Sequence, residues 1–382
     1  MIYLDNAATT CAFPEVTEVI CQMNKDFYAN PSSMHSLGYK AEKELAKAKE
    51  GLLSSIGAKS GELIFTSGGT ESNNQILFGT LFSQIKRKPH IIVSAIEHPS
   101  VLEPVKMLET LGCEVTYIAP DECGVIRAES IVSAIRDNTR LVSVMAVNNE
   151  TGAINPIADI VKKVKEKNPE IIVHSDCVQA MGNIKISVDK WGVDAISLSA
   201  HKICGPKGVG ALYVRDKVRV LPLILGGHQQ KNLRSGTENL PGIAGFCKAA
   251  EIMSENFVKK SEHLYVLKEE IIKRLKETDG FIINNEGSMY SSHIVSIRVK
   301  NVRSEVLLHA LESHGICVSA GSACSTNKPA PSHVLLAQGF DRKHIEETIR
   351  VSLGSFNTMD EIEEFCDILI KEAETLSRFV RA

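Results

Sequence analysis

The chain has 382 residues, 43% hydrophobic and 23% charged, with 43 basic and 46 acidic side chains and a formal net charge of −3. That length exceeds one ordinary core and predicts two domains; the balance excludes general disorder and gives no overall field to draw nucleic acid or an anionic membrane. Met1 to Asp5 lack the basic and apolar regions of a leader, no apolar run nears eighteen residues, and the ten cysteines form no C-x-x-C pair. A cytoplasmic protein with mostly buried, inert cysteines and neither a zinc site nor a disulfide framework is expected.

The first dozen residues read as an arm. An amphipathic stretch follows from Pro14 to Met23, its proline suited to a first helical turn. Lys40 to Leu53 is rich in Ala, Glu and Lys with Gly57 just beyond, the pattern of a helix with a solvated charged face. Strand and helix signals then alternate: Leu63 to Thr66 and a helix from Thr70; Ile91 to Ala95 and Pro99 to Leu111; Glu114 to Ile118; Leu141 to Val147 and Pro156 to Lys167; Ile171 to His174; Ala195 to Leu198. Short apolar runs separated by helical segments predict parallel strands with crossover helices. The result is a three-layer α/β unit that binds ligands beyond the carboxyl ends of its strands.

From Leu240 to Glu277 the pattern is long and helical, and Met253 to Glu262 reads as the passage into a second unit. That unit has strand signals at Phe281 to Ile283 and Ile294 to Val299, a helix from Ser304 to His314, a loop around Cys324, a strand at Thr348 to Leu353 and a last helix from Met359. The expected division is a large domain over 15–255 and a smaller α+β domain made of 1–14 and 256–382.

Three strand ends carry chemistry. Ala195 to Leu198 delivers Ser199, His201 and Lys202, followed by a glycine-rich turn from Gly205 to Gly210. A lysine among small residues beside a histidine is placed to lose solvation, which frees its amine for Schiff-base chemistry; taken alone, the segment reads equally well as a surface loop. Ile171 to His174 runs into Asp176, with Gln179 three residues on. An aspartate there can pair with the protonated ring nitrogen of pyridoxal phosphate while a distant lysine holds the aldehyde. Ser67-Gly68-Gly69-Thr70 follows a strand and opens a helix, a site for an anion or, by itself, a plain turn. No G-x-x-x-x-G-K-[ST] or G-x-G-x-x-G string occurs, which argues against a nucleotide.

Eight strings follow one another along the chain: Tyr3-Leu4-Asp5-Asn6-Ala7-Ala8-Thr9-Thr10, Asn30-Pro31-Ser32-Ser33, Thr66-Ser67-Gly68-Gly69-Thr70-Glu71-Ser72-Asn73, Asn148-Asn149-Glu150-Thr151-Gly152, Ser199-Ala200-His201-Lys202, Arg234-Ser235-Gly236-Thr237, Ser322-Ala323-Cys324 and Ile349-Arg350-Val351-Ser352. At these residues the sequence resembles the fold-type I pyridoxal-phosphate enzymes of aminotransferase class V and, within them, the cysteine desulfurases of the NifS/IscS type. The resemblance implies a homodimer in which Lys202 anchors pyridoxal 5'-phosphate and then removes the substrate's α-proton. It puts Gly69, Thr70, Ser199 and His201 around the phosphate, with Thr237 reaching it from the partner subunit. His98 stacks on the ring, where an imidazole can also move protons near neutral pH; Asp176 holds the ring nitrogen and Gln179 donates to the phenolic oxygen. Asn149 and Arg350 receive the α-carboxylate of L-cysteine, with Asn30 also on the substrate side.

Cys324 separates a desulfurase from a transaminase. It lies among small and polar residues with Lys328 available to favour the thiolate. The resemblance makes it the group that takes sulfur from L-cysteine as a persulfide, L-alanine leaving, and passes it to an acceptor protein. An iron–sulfur scaffold and the thiolation enzymes of tRNA or thiamin synthesis are comparable acceptors, because the chain closes at Ala382 without the longer tail that helps IscS-type members dock the scaffold. The rival readings are transamination, selenocysteine lyase or kynureninase-like cleavage on the same cofactor, and a non-catalytic scaffold. Against the last stand Lys202, Asp176, Arg350 and Cys324 together. The other nine cysteines read as packing residues.

Overall fold

The computed structural model describes residues 1–287, 289–320 and 331–380. β1 (Ile2–Tyr3) opens the chain, and β2 (Glu62–Thr66), β3 (His90–Ser94), β4 (Glu114–Ile118), β5 (Thr139–Ser143), β6 (Ile172–Asp176), β7 (Ala195–Ser199) and β8 (Gly210–Val214) form one sheet in the order β2-β8-β7-β6-β5-β3-β4. From β7 through β4 every pairing is parallel, while β8 runs antiparallel to both β2 and β7.

Side chains alternate across this sheet, as the two-residue period of a strand requires. Phe65, Ile92, Val142, Ile196 and Tyr213 enter one core, shared with helices Ser36–Ser55, Ile157–Lys167 and Leu240–Glu255. Ile64, Ile91, Leu141, Ala195 and Leu212 enter another, shared with helices Gly69–Leu81 and Pro99–Thr110. Both faces are thus covered and the architecture is three-layer α/β/α.

A separate core gathers β9 (Phe281–Ile283), β10 (Ile294–Val299), β11 (Ile316–Cys317), β12 (Ser319–Ala320) and β13 (Thr348–Ser352) with helices Phe257–Lys276, Ser304–Ser313 and Met359–Val380. β12-β13-β10-β9 is an antiparallel sheet, and β1 adds to β11 in parallel, so Ile2 and Leu4 belong to this core. Leu4 is still tied to the smaller sheet, where Ser352 N–H donates to Leu4 O at 2.7 Å, and the chain then crosses to the larger one, where Thr10 N–H donates to His201 O at 3.0 Å. Among the described residues no helix is long and apolar enough to cross a membrane.

The helical stretch after Leu240 is two helices, broken at Asn256 (φ −98°, ψ 7°), inside the passage expected from Met253 to Glu262. Other expectations are corrected or extended. The turn after Lys202 runs into β8, which the glycines hid: a Cβ on Gly210 would lie 2.6 Å from the Gly68 Cα, so this glycine serves close strand packing. Helix Ser36–Ser55 is not merely solvated, since Gly38, Ala41, Ala48 and Leu52 are buried and it packs on Leu240–Glu255; small residues let the two backbones approach. Cys11 and Cys21 are exposed rather than packed, whereas Cys113, Cys177, Cys204 and Cys366 are buried.

Candidate active site

The loops after β2, β3, β5, β6 and β7 open on one cavity of about 810 Å³. They contribute Gly69 and Thr70, then His98, then Asn149 and Glu150, then Asp176, Val178 and Gln179, and finally Ser199, His201 and Lys202. Ser319 and Arg350 come from the smaller sheet, Ser332 and His333 from the start of helix His333–Ala337, and Asp5, Ala7 and Ala8 from the N-terminal segment. Ten of the residues singled out in the sequence therefore share one cavity, because parallel strands all present their carboxyl ends at the same edge.

Lys202 sits in a short helical turn at the end of β7, and its Nζ donates to Ala7 O at 2.6 Å and Ala8 O at 2.5 Å. Gln179 Nε2 donates to the same Ala7 carbonyl at 2.9 Å, and its Oε1 lies 3.1 Å from His293 Nε2. The last residue of β6, Asp176, is buried; Oδ1 accepts from Val178 N–H at 2.9 Å and Oδ2 from Asn73 Nδ2 at 2.7 Å. Asn73 Nδ2 also donates to Ser100 Oγ at 2.8 Å, and Ser100 Oγ lies 2.7 Å from His98 Nδ1.

His98 caps helix Pro99–Thr110, with Nδ1 accepting from Ser100 N–H at 3.1 Å. Burial lowers its pKa, against the opposing pull of Asp176 and with the help of the positive charge of Lys202. Burial likewise pushes His201 down to about 4, aided by Lys202 and Lys207, so His201 is a neutral ring near Thr9 (Nδ1 to Oγ1 3.2 Å). Just before His98, Glu97 is fully buried: Oε1 accepts from Ser94 Oγ at 2.5 Å and Met145 N–H at 2.6 Å, and desolvation pushes its carboxyl up to about 8.

On the opposite side Arg350 Nη1 donates to Asn149 O at 2.8 Å and Nη2 to Asp5 Oδ1 at 2.8 Å. Its Nε is buried and has no partner among the described residues. Glu150 accepts from the Ser332 hydroxyl, and burial pushes its carboxyl up to about 7 despite the Arg350 charge.

Asn30 and Thr237 are exposed and do not line the cavity. Cys324 lies outside the described residues. Sequence reasoning missed the parts played by Asp5, Ala7, Asn73, Ser100 and His293. Three of these residues stand in or beside quoted strings, yet nothing in a single chain says that a backbone carbonyl at Ala7 meets a lysine 195 positions away.

Residues 2–365 match the family model described as aminotransferase class-V. The chain is 41% identical over 376 residues to a protein from Dictyoglomus turgidum named cysteine desulfurase IscS, covering 98% of this chain and 95% of that one. Among solved structures it is similar to a NifS-like protein, with TM-score 0.93, 38% identity and coverage of 98% and 100%. It is also similar to SspA in complex with cysteine, with TM-score 0.84, 36% identity and coverage of 94% and 100%. The chain belongs to the aminotransferase class-V family, among the cysteine desulfurases of the NifS/IscS type.

Proposed function

We propose that this protein is a cysteine desulfurase that binds pyridoxal 5'-phosphate, takes the sulfur of L-cysteine onto Cys324 as a persulfide, releases L-alanine and hands the sulfur to an acceptor protein. The observation that carries the reading is that Lys202 and Asp176, at the ends of β7 and β6, line one cavity together with Arg350 and both act on the charge of His98. The residues present fit the cofactor. A Cβ on Gly69 would meet Val178 Cγ2 at 2.7 Å, so glycine keeps the wall beside Ser199 open, and the buried Asn73 Oδ1 and Arg350 Nε lack partners among the described residues.

In this reading the N-terminus of helix Gly69–Leu81, Thr70, Ser199 and neutral His201 hold the phosphate. When bound, the cofactor supplies an aldehyde carbon for attachment to an amine and an electron-accepting ring. Asp176 keeps a proton on the ring nitrogen, His98 and Val178 flank the ring, and Gln179 turns its amide toward the phenolic oxygen. Lys202, steered by two backbone carbonyls, holds the cofactor and afterwards accepts the α-proton at Nζ. Arg350 has three N–H groups beyond those spent on Asn149 and Asp5, enough to take the α-carboxylate of L-cysteine beside the Asn149 side chain. Ser319 and Pro331, on either side of the segment that carries Cys324, both line the cavity, which supports delivery of that thiolate to the substrate's sulfur.

A homodimer is part of the proposal. It is supported by exposed Thr237, free to serve a partner's phosphate site, and by exposed apolar Leu221, Leu223, Ile224 and Leu225 in the same stretch. So are a cytoplasmic setting and the division into domains 15–255 and 1–14 with 256–382, the latter supported by the separate cores. The test is to give the purified protein L-cysteine and a reductant and to follow alanine and sulfide, then repeat with Cys324→Ala. Equal amounts of both products, with sulfide release abolished in the variant, are expected. Undiminished sulfide release from Cys324→Ala would overturn the persulfide assignment.

A further inference from the structure

One side-chain amide joins the two groups that would face the ring. Asn73, in the first turns of helix Gly69–Leu81, is fully buried and lines the cavity. Its Nδ2 donates to Asp176 Oδ2 at 2.7 Å and to Ser100 Oγ at 2.8 Å, which uses both hydrogens. The flipped amide would set Oδ1 against a carboxylate oxygen at that distance, so electrostatics fixes the orientation. Ser100 Oγ is thereby an acceptor from Asn73 and has one hydrogen left to give, and His98 Nδ1 lies 2.7 Å away. The Ser100 backbone N–H points at the same ring nitrogen from 3.1 Å. Facing two donors, Nδ1 must be bare, which leaves the proton on Nε2.

We propose that Asn73 is a positioning residue: by bridging Asp176 to Ser100 it holds His98 as the neutral Nε2–H tautomer while occupying one oxygen of Asp176. The inference rests on the reading of the cavity as a pyridoxal-phosphate site and deepens it. One amide presents the ring with a fixed carboxylate at one place and a fixed N–H donor at another. A proton on Nδ1 would break both bonds from Ser100 and the cap of helix Pro99–Thr110, so His98 is held as a donor and α-proton removal falls to Lys202. The charged and titratable groups acting on His98 are Asp176, Lys202 and His333.

The test reads the ring directly in holoenzyme labelled with ¹⁵N-histidine, His98 being assigned by the signal lost in His98→Gln. The unaltered protein should show a bare Nδ1 and a protonated Nε2 above neutral pH. Asn73→Asp keeps the size but removes both donors and adds an acceptor, and should raise the His98 titration by about one unit or more. Should that variant not fold, Ser100→Ala removes the hydroxyl donor, leaves only the backbone N–H on Nδ1 and should raise the His98 titration. A proton on Nδ1 in the unaltered enzyme, or an unchanged His98 in whichever variant folds, overturns the proposal. No turnover is needed: inactivity toward L-cysteine with the predicted His98 behaviour would sink the desulfurase reading and leave this one standing.

Discussion

The two walls of the cavity are built differently. On the sheet side, Asp176, Asn73, Ser100 and His98 bond to one another through side chains, each within a few residues of a strand end, over a core with almost no exposed surface. On the facing side the N-terminal segment offers its acceptors to the long side chains of the cavity: the carbonyls of Ala7 and Ala8 to Lys202, the Ala7 carbonyl again to Gln179, and the Asp5 carboxylate to Arg350. The contrast separates tasks. Groups whose charge state matters stand on the rigid sheet, and a single segment lying between the two cores aims the long flexible side chains.

Replacing a reactive group on the sheet side should have the largest effect. Lys202→Ala should cost about 10⁴-fold in kcat for alanine formation, because anchor and base are lost together. Asp176→Asn should lower kcat by about 10²-fold while the protein still retains cofactor, measured by turnover beside cofactor content. If both variants lost only cofactor affinity, the sheet wall would be a binding surface and no more. On the facing side, Arg350→Gln should reduce kcat/KM by about a hundredfold, most of it in KM, since a paired charge-assisted contact to the substrate carboxylate disappears. Asp5→Asn leaves a buried guanidinium without its counter-charge and should lower the unfolding free energy by about 2 kcal/mol in denaturant titrations.

A further effect concerns pH. The folded chain keeps Glu97 protonated up to about 8, whereas an unfolded glutamate ionises near its ordinary value of 4.5. The native state thus binds the extra proton between those values, and stability falls as pH rises through that window. Glu97→Gln, which keeps an oxygen for Ser94 and Met145, should match the parent near pH 5 and exceed it at pH 8.5. Denaturation midpoints at the two pH values check this, and a parent stability that rises with pH in step with the variant would contradict it.

The sheet wall was legible in the sequence because strand ends announce themselves: an apolar run followed by Asp176, or by Ser199, His201 and Lys202, places the residue without knowledge of its partners. Thr70 and Gly69 were legible for the same reason, at a strand-to-helix turn. Asn73 was not, since an amide inside a helix carries no signal until Asp176, 103 positions away, is seen beside it. The N-terminal segment hid its role likewise, because Asp5 meets Arg350 across 345 positions and Ala7 acts through its backbone. β8 was missed because glycine reads as a turn residue, while here Gly210 allows close packing against Gly68. Within the fold, strand positions were easiest wherever a short continuous apolar run fed the cores on both faces of the sheet.

The central claim is that Lys202 and Asp176 serve one ring in one cavity. Borohydride reduction of the purified protein followed by peptide mass mapping tests it most directly. A pyridoxyl-phosphate adduct on the peptide containing Lys202, with the visible absorbance bleached in step, is the predicted result. An adduct on another lysine, or none from protein that turns over L-cysteine, would contradict it.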